Sequence, residues 1–107
     1  VINSNRKGKV GELEVVNLLK EKGLNARRTQ QFSGKADGTS DILCEELKDF
    51  HIEVKRDEHL NIERALQQSI RDSELENTIP TVFHRKNKES WKVTMRFEDW
   101  LNLVQDK

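Results

Sequence analysis

The chain has 107 residues, enough for one hydrophobic core and too few for two, so a single domain over 1–107 is expected. Charged residues make up 36% and the hydrophobic set 34%, which demands a small core and elements that are apolar on one face only. No apolar run approaches the length of a membrane span, no signal-peptide pattern opens the chain, and the single cysteine excludes an internal disulfide.

The formal net charge is zero but unevenly spread. Residues 1–36 carry eight Lys/Arg against three acids (+5), residues 37–77 five against twelve (−7), and residues 78–107 six against four (+2). An acidic centre framed by basic ends suits a metal site flanked by phosphate-binding surface, although ordinary fluctuation in a highly charged chain gives the same pattern. Because the chain opens on Val1 and not on methionine, processed or trimmed ends are expected. A lone Cys44 fits a reducing interior, hence a cytoplasmic setting, and three scattered histidines with one cysteine offer no zinc-ligand spacing.

In chain order, Asn3–Lys9 is polar and basic, with Arg6, Lys7 and Lys9, and Ser4 or Asn5 is placed to cap a helix running to about Lys22 before a stop at Gly23. At roughly 100° per residue, Leu13, Val15, Val16 and Leu19 form the apolar arc. Glu12 projects into that arc and needs a partner, because unpaired burial of a carboxylate is costly. Glu14 falls with Asn17 and Glu21 on the polar side, and Gly8 leaves room one turn before Glu12. Leu24–Gln31, with Arg27 and Arg28, reads as the first strand, and 32–39 as a glycine-containing loop whose Lys35 is placed to meet a backbone phosphate.

Two apolar runs, Asp41–Cys44 and Phe50–Val54, flank a short polar stretch, the pattern of a β-hairpin. With the turn near Leu47, Asp41 lies opposite Glu53 and Ile42 opposite Ile52. Alternation then puts Ile42, Cys44, Phe50, Ile52 and Val54 on one face, and Asp41, Glu53 and Lys55 on the other with Leu43 and His51 behind them. Two acids directly opposite cost roughly 0.2–1 kcal/mol, a penalty that a divalent cation between them removes. A solvated face of alternating charges is the bland alternative.

Beyond Lys55, Ile62, Ala65, Leu66, Ser69, Ile70 and Ser73 repeat at helical spacing through about Glu76, with Asn61 as cap, Arg64 and Arg71 outward, and Gln67 and Gln68 mid-helix. Pro80 ends that segment. Thr81–His84 and Trp91–Met95 read as strands around a basic turn containing Arg85 and Lys86, either a grip for nucleic acid or an exposed turn with Trp91 on the sheet. Phe97, Trp100, Leu101 and Val104 form a last helical stripe, suited to core or to a dimer seam. The expected order, α-β-β-β-α-β-β-α, makes an α/β protein with a central mixed β-sheet flanked by helices.

Glu12 on the first helix, then Asp41, then Glu53-Val54-Lys55, resembles the PD-(D/E)XK nuclease superfamily and its restriction-endonuclease-like fold. Gly8-Lys9-Val10-Gly11-Glu12, Lys22-Gly23, Arg27-Arg28 and Ser40-Asp41-Ile42 are similar to archaeal-type Holliday junction resolvases and their phage-encoded relatives. The resemblance spans about Arg6 to Val104. It implies that Asp41, Glu53 and the Val54 carbonyl ligate Mg²⁺ or Mn²⁺, that Glu12 completes the acidic cluster, and that Lys55 orients the attacking water or stabilises the phosphorane-like state. Gln68, with Gln67 as the alternative, would match a glutamine of the second helix, and Ser33 a serine near the scissile phosphate. Arg6, Lys7, Lys9, Arg28, Lys35, Arg85 and Lys86 would contact DNA. Ser40 stands where proline commonly precedes the aspartate. The implied activity is metal-dependent endonucleolytic hydrolysis of four-way junctions by a homodimer. A nuclease of other branched or duplex DNA and a non-catalytic DNA-binding module are the alternatives. An interaction domain built on the Phe97–Val104 stripe would leave the clustered acids unexplained.

Overall fold

The chain folds, in a computed structural model that describes residues 4–29 and 40–106, in the expected order of elements. These are α1 (Ser4–Glu21), β1 (Ala26–Arg28), β2 (Ile42–Cys44), β3 (Phe50–Arg56), α2 (Ile62–Ser73), β4 (Ile79–Arg85), β5 (Lys92–Thr94) and α3 (Phe97–Gln105). α1 ends where Gly23 takes a φ of 86°, open to glycine at little steric cost. The Gly23 amide reaches the Lys20 carbonyl at 2.9 Å and the Leu24 amide that of Leu19 at 3.1 Å, which satisfies two of the last carbonyls of the helix. α2 starts where the Asn61 side chain accepts from the Arg64 amide at 3.0 Å.

β3 runs parallel to β4, with Glu53 beside Val82 and Ile52 beside Thr81, and β4 is antiparallel to β5. Parallel neighbours require a crossover, which α2 supplies. β1 and β2 form a separate antiparallel pair. The core lies between α1 and the strands, where Val15, Val16, Ala26, Ile42, Cys44, Ile52 and Val54 form one buried cluster. It closes tightly at Gly11, where an added Cβ would sit 3.0 Å from the Arg56 Cβ and 3.6 Å from Val54. No helix among the described residues is long and apolar enough to cross a membrane.

Four expectations need correction. The first strand is shorter than Leu24–Gln31, and Gln30 and Gln31 lie outside the described residues. Asp41–Cys44 and Phe50–Val54 do not form a laddered hairpin, because Glu45–Leu47 winds into a 3-10 turn and β2 pairs with β1. The two runs are joined by the Asp41 amide, which donates to the Ile52 carbonyl at 2.8 Å, and by the Ser40 hydroxyl, which accepts from the Ile52 amide at 2.9 Å. Pro80 does not precede β4 but lies buried inside it; β5 pairs only with Val82–His84, so no neighbour on that side needs the missing N–H. Finally, the stripe on α3 is not core, since Phe97 remains 74% and Trp100 50% exposed.

Candidate active site

Asp41 is set by its backbone on both sides. Its amide is held by Ile52, its carbonyl accepts from the Thr29 amide at 3.1 Å, and its side-chain Oδ2 accepts from the Val54 amide at 2.9 Å. Ser40, in the position where the resemblance leads one to expect proline, has its single hydroxyl proton within reach of both the Ile42 and Ile52 carbonyls, at 2.9 and 3.0 Å, and so clamps the same junction.

Glu53 and Asp41 are both buried, and their carboxyl groups are in hydrogen-bond contact. The Glu53 carboxyl is pushed above the ordinary carboxylate range, first by burial and also by the negative charge and hydrogen bond of Asp41; His51 acts in the opposite sense. His51 lies two residues before Glu53 on the same side of β3, and its Nε2 is 2.9 Å from Glu53 Oε1. The bland reading of this face as solvated therefore fails: His51 is 1% and Glu53 5% exposed. Lys55 follows at the next position on that side and is partly buried.

Asp72, from α2, completes a group that sequence reasoning missed: one ligand atom each from His51, Glu53 and Asp72 lie within 4.8 Å of one another. The His51–Glu53 spacing was open to inspection as i, i+2 on a strand, whereas Asp72 depends on how α2 settles across the sheet. The donor set fits a divalent cation. Asp41 and Glu53, two carboxyl groups in one buried site with Glu53 driven toward its proton, present oxygen ligands whose repulsion a cation relieves.

Glu12 is buried and meets Arg28 Nε at 2.9 Å, and Arg28 sits opposite Ile42, beside Asp41, in the β1–β2 ladder. The Arg28 charge is thereby balanced inside the protein. Glu14 is not the ordinary surface acid that its helical position implies. It pairs with Arg85 and lies 3.1 Å from Arg56 Nε, off hydrogen-bond alignment. Arg85 also stacks over Trp91, 5.6 Å from the ring centre. Arg85 is therefore part of the internal packing, which leaves Lys86 exposed at the turn. Lys9, Gln67 and Gln68 are exposed, and Gln67 leans on Glu63 at 3.4 Å. Arg6 and Lys7 lie on the first turns of α1, and Ser33 and Lys35 lie outside the described residues.

No curated protein matches the chain. A solved structure of Hjc, a Holliday junction resolvase from the archaeal hyperthermophile Archaeoglobus fulgidus, superposes with a TM-score of 0.57 at 18% identity, covering 78% of this chain and 72% of that one. The two share the restriction-endonuclease-like fold. A family model described as "Phage putative PDDEXK endonuclease" matches residues 3–107. With nearly its whole length matched, and Asp41 and Glu53 in contact inside it, the chain belongs to this phage PDDEXK endonuclease family.

Proposed function

We propose that this protein is a metal-dependent, structure-selective DNA endonuclease, acting on four-way junctions as a homodimer in the cytoplasm of a bacterial, archaeal or phage-infected cell. The observation that carries the reading is the buried Asp41–Glu53 carboxyl pair, with Glu53 held toward its protonated form. Asp41, Glu53 and the Val54 carbonyl would hold Mg²⁺ or Mn²⁺, with Glu12 in the acidic cluster. Such an ion lowers the pKa of a bound water and neutralises charge on the phosphoryl and leaving oxygens.

The chain's own residues do the rest. The Val54 amide fixes one Asp41 oxygen and so orients the other. His51 fixes Glu53 Oε1. Lys55, on the same side of β3 as Glu53, supplies a cation to the pentacovalent phosphate or positions the attacking water. Ser33 and one of Gln67 and Gln68 remain accessory candidates. Lys9 and Lys86 are exposed and would meet phosphates, and Arg6, Lys7 and Lys35 stay candidates for the same contacts from the resemblance. A relative with the same site but another branched or duplex DNA substrate is the second reading, favoured by the breadth of the matched family description, which names an endonuclease and no substrate.

The test is cleavage of a synthetic four-way junction beside a linear duplex of matching sequence, with Mg²⁺, Mn²⁺ or EDTA and with Asp41→Asn as control. Paired symmetric nicks on the junction alone, lost in EDTA and in Asp41→Asn, are expected. Equal cutting of both substrates would leave a nuclease without junction selectivity. Tight binding with no cutting under any metal would replace the enzyme by a DNA-binding module.

A further inference from the structure

The group formed by His51, Glu53 and Asp72 is not the Asp41–Glu53–Val54 set, and its donor chemistry differs. Mg²⁺ favours oxygen ligands and retains water, whereas imidazole suits cations of the zinc type. His51 is 1% exposed, and its Nδ1 has no hydrogen-bond partner among the described residues. Most buried side-chain polar atoms have a partner, so the open Nδ1 is an exception that a purely structural bridge does not account for. Here the ring is directed through Nε2 alone, at Glu53. Glu53 therefore faces two ways, with one contact to His51 and another to Asp41.

We propose that His51, Glu53 and Asp72 form a second cation site, selective for a borderline divalent ion of the Zn²⁺ or Co²⁺ type, with Glu53 shared between it and the Asp41 site. One nitrogen and two carboxylates from the protein leave coordination positions for water, which is the ligand count of an open site and not of a closed structural one. The proposal rests on the reading of Glu53 as a metal ligand and adds a second ion of different preference beside it.

The experiment is titration of the metal-free protein with Co²⁺, followed by its visible absorption, with Zn²⁺ as competitor, for the wild type, Asp72→Asn, His51→Gln and Asp41→Asn. The wild type should take up Co²⁺ with a visible band that Zn²⁺ displaces. Asp72→Asn and His51→Gln should weaken that uptake by about tenfold or more, and Asp41→Asn should retain it. Because His51 is buried, its replacement endangers the fold, and the partly buried Asp72→Asn carries the test alone. Absence of the band in wild type, wild-type uptake by Asp72→Asn, or its loss in Asp41→Asn to the same degree overturns the site. Mg²⁺-dependent cleavage measured in parallel separates the two readings: cleavage without Asp72-dependent Co²⁺ uptake removes only this site. Such uptake without cleavage upholds the site and removes the nuclease.

Discussion

At the scale of single residues, the site is unstable by construction. Glu53 is buried beside another carboxyl, so its folded-state pKa is raised above the ordinary value of 4.5. The folded chain then binds this proton more tightly than the unfolded chain does, and the stability linked to it is fully present below the ordinary value and lost as pH rises through the folded value. Glutamine has the same shape, keeps an oxygen for His51 and never ionises. In EDTA, Glu53→Gln should therefore melt at a higher temperature than wild type at mildly alkaline pH, with the gap closing below about 4.5. Thermal melts across that range check it, and a variant that is less stable than wild type at alkaline pH would show that ionised Glu53 is not a strain on the fold. The same substitution should abolish metal-dependent cleavage. This is the trade expected of a site that sacrifices stability for chemistry.

At the scale of elements, α1 and β3 come together over Gly11, where the backbone of the helix approaches the strand too closely for a branched side chain. Gly11→Val would drive its methyls into Arg56, Val54 and Trp91, and overpacking of this kind costs roughly 1–3 kcal/mol. The strain falls on the strand carrying Glu53 and on the Glu14–Arg56 contact. Denaturant unfolding should show a loss of that size, and an unchanged midpoint would mean that the helix can lift without consequence. The value of Gly11 was invisible in the sequence, whereas the helix around it was legible from the 3.6-residue period, as was the buried placement of Glu12. Asp41 and Glu53 were legible as a pair because alternation and spacing are local properties. Their route to contact was not, since a hydroxyl from Ser40 and a 3-10 turn replace the expected ladder. Glu14 was misread because its partner Arg85 is 71 residues away, and Asp72 because its role depends on α2 crossing the sheet. Local periodicity carries elements and faces; it does not carry which distant charge will close on which.

At the scale of the whole molecule, the apolar stripe of α3 has nothing over it among the described residues. Phe97 and Trp100 stack with ring centres 6.4 Å apart, and Leu103 and Val104 continue the exposed apolar surface. An amphipathic helix with its apolar side in water is costly unless another surface covers it, and the proposed two-fold dimer would cover it with the same stripe of a second chain. Two sites related by that axis would then face two strands of a junction, which would tie assembly to the proposed function. In a symmetric interface each substitution counts twice. Burying one aromatic side chain contributes about 1.5–3 kcal/mol, so Trp100→Asp should weaken the dimer by roughly 3–6 kcal/mol, on the order of 10²–10⁴-fold in Kd. Because Trp100 is half exposed within one chain, the variant should keep its far-ultraviolet circular dichroism while sedimenting as a monomer. On a junction it should nick one strand at a time instead of making paired cuts. A wild-type monomer at all accessible concentrations, or a Trp100→Asp dimer as tight as wild type, would remove α3 from the assembly and with it this account of why the stripe is apolar.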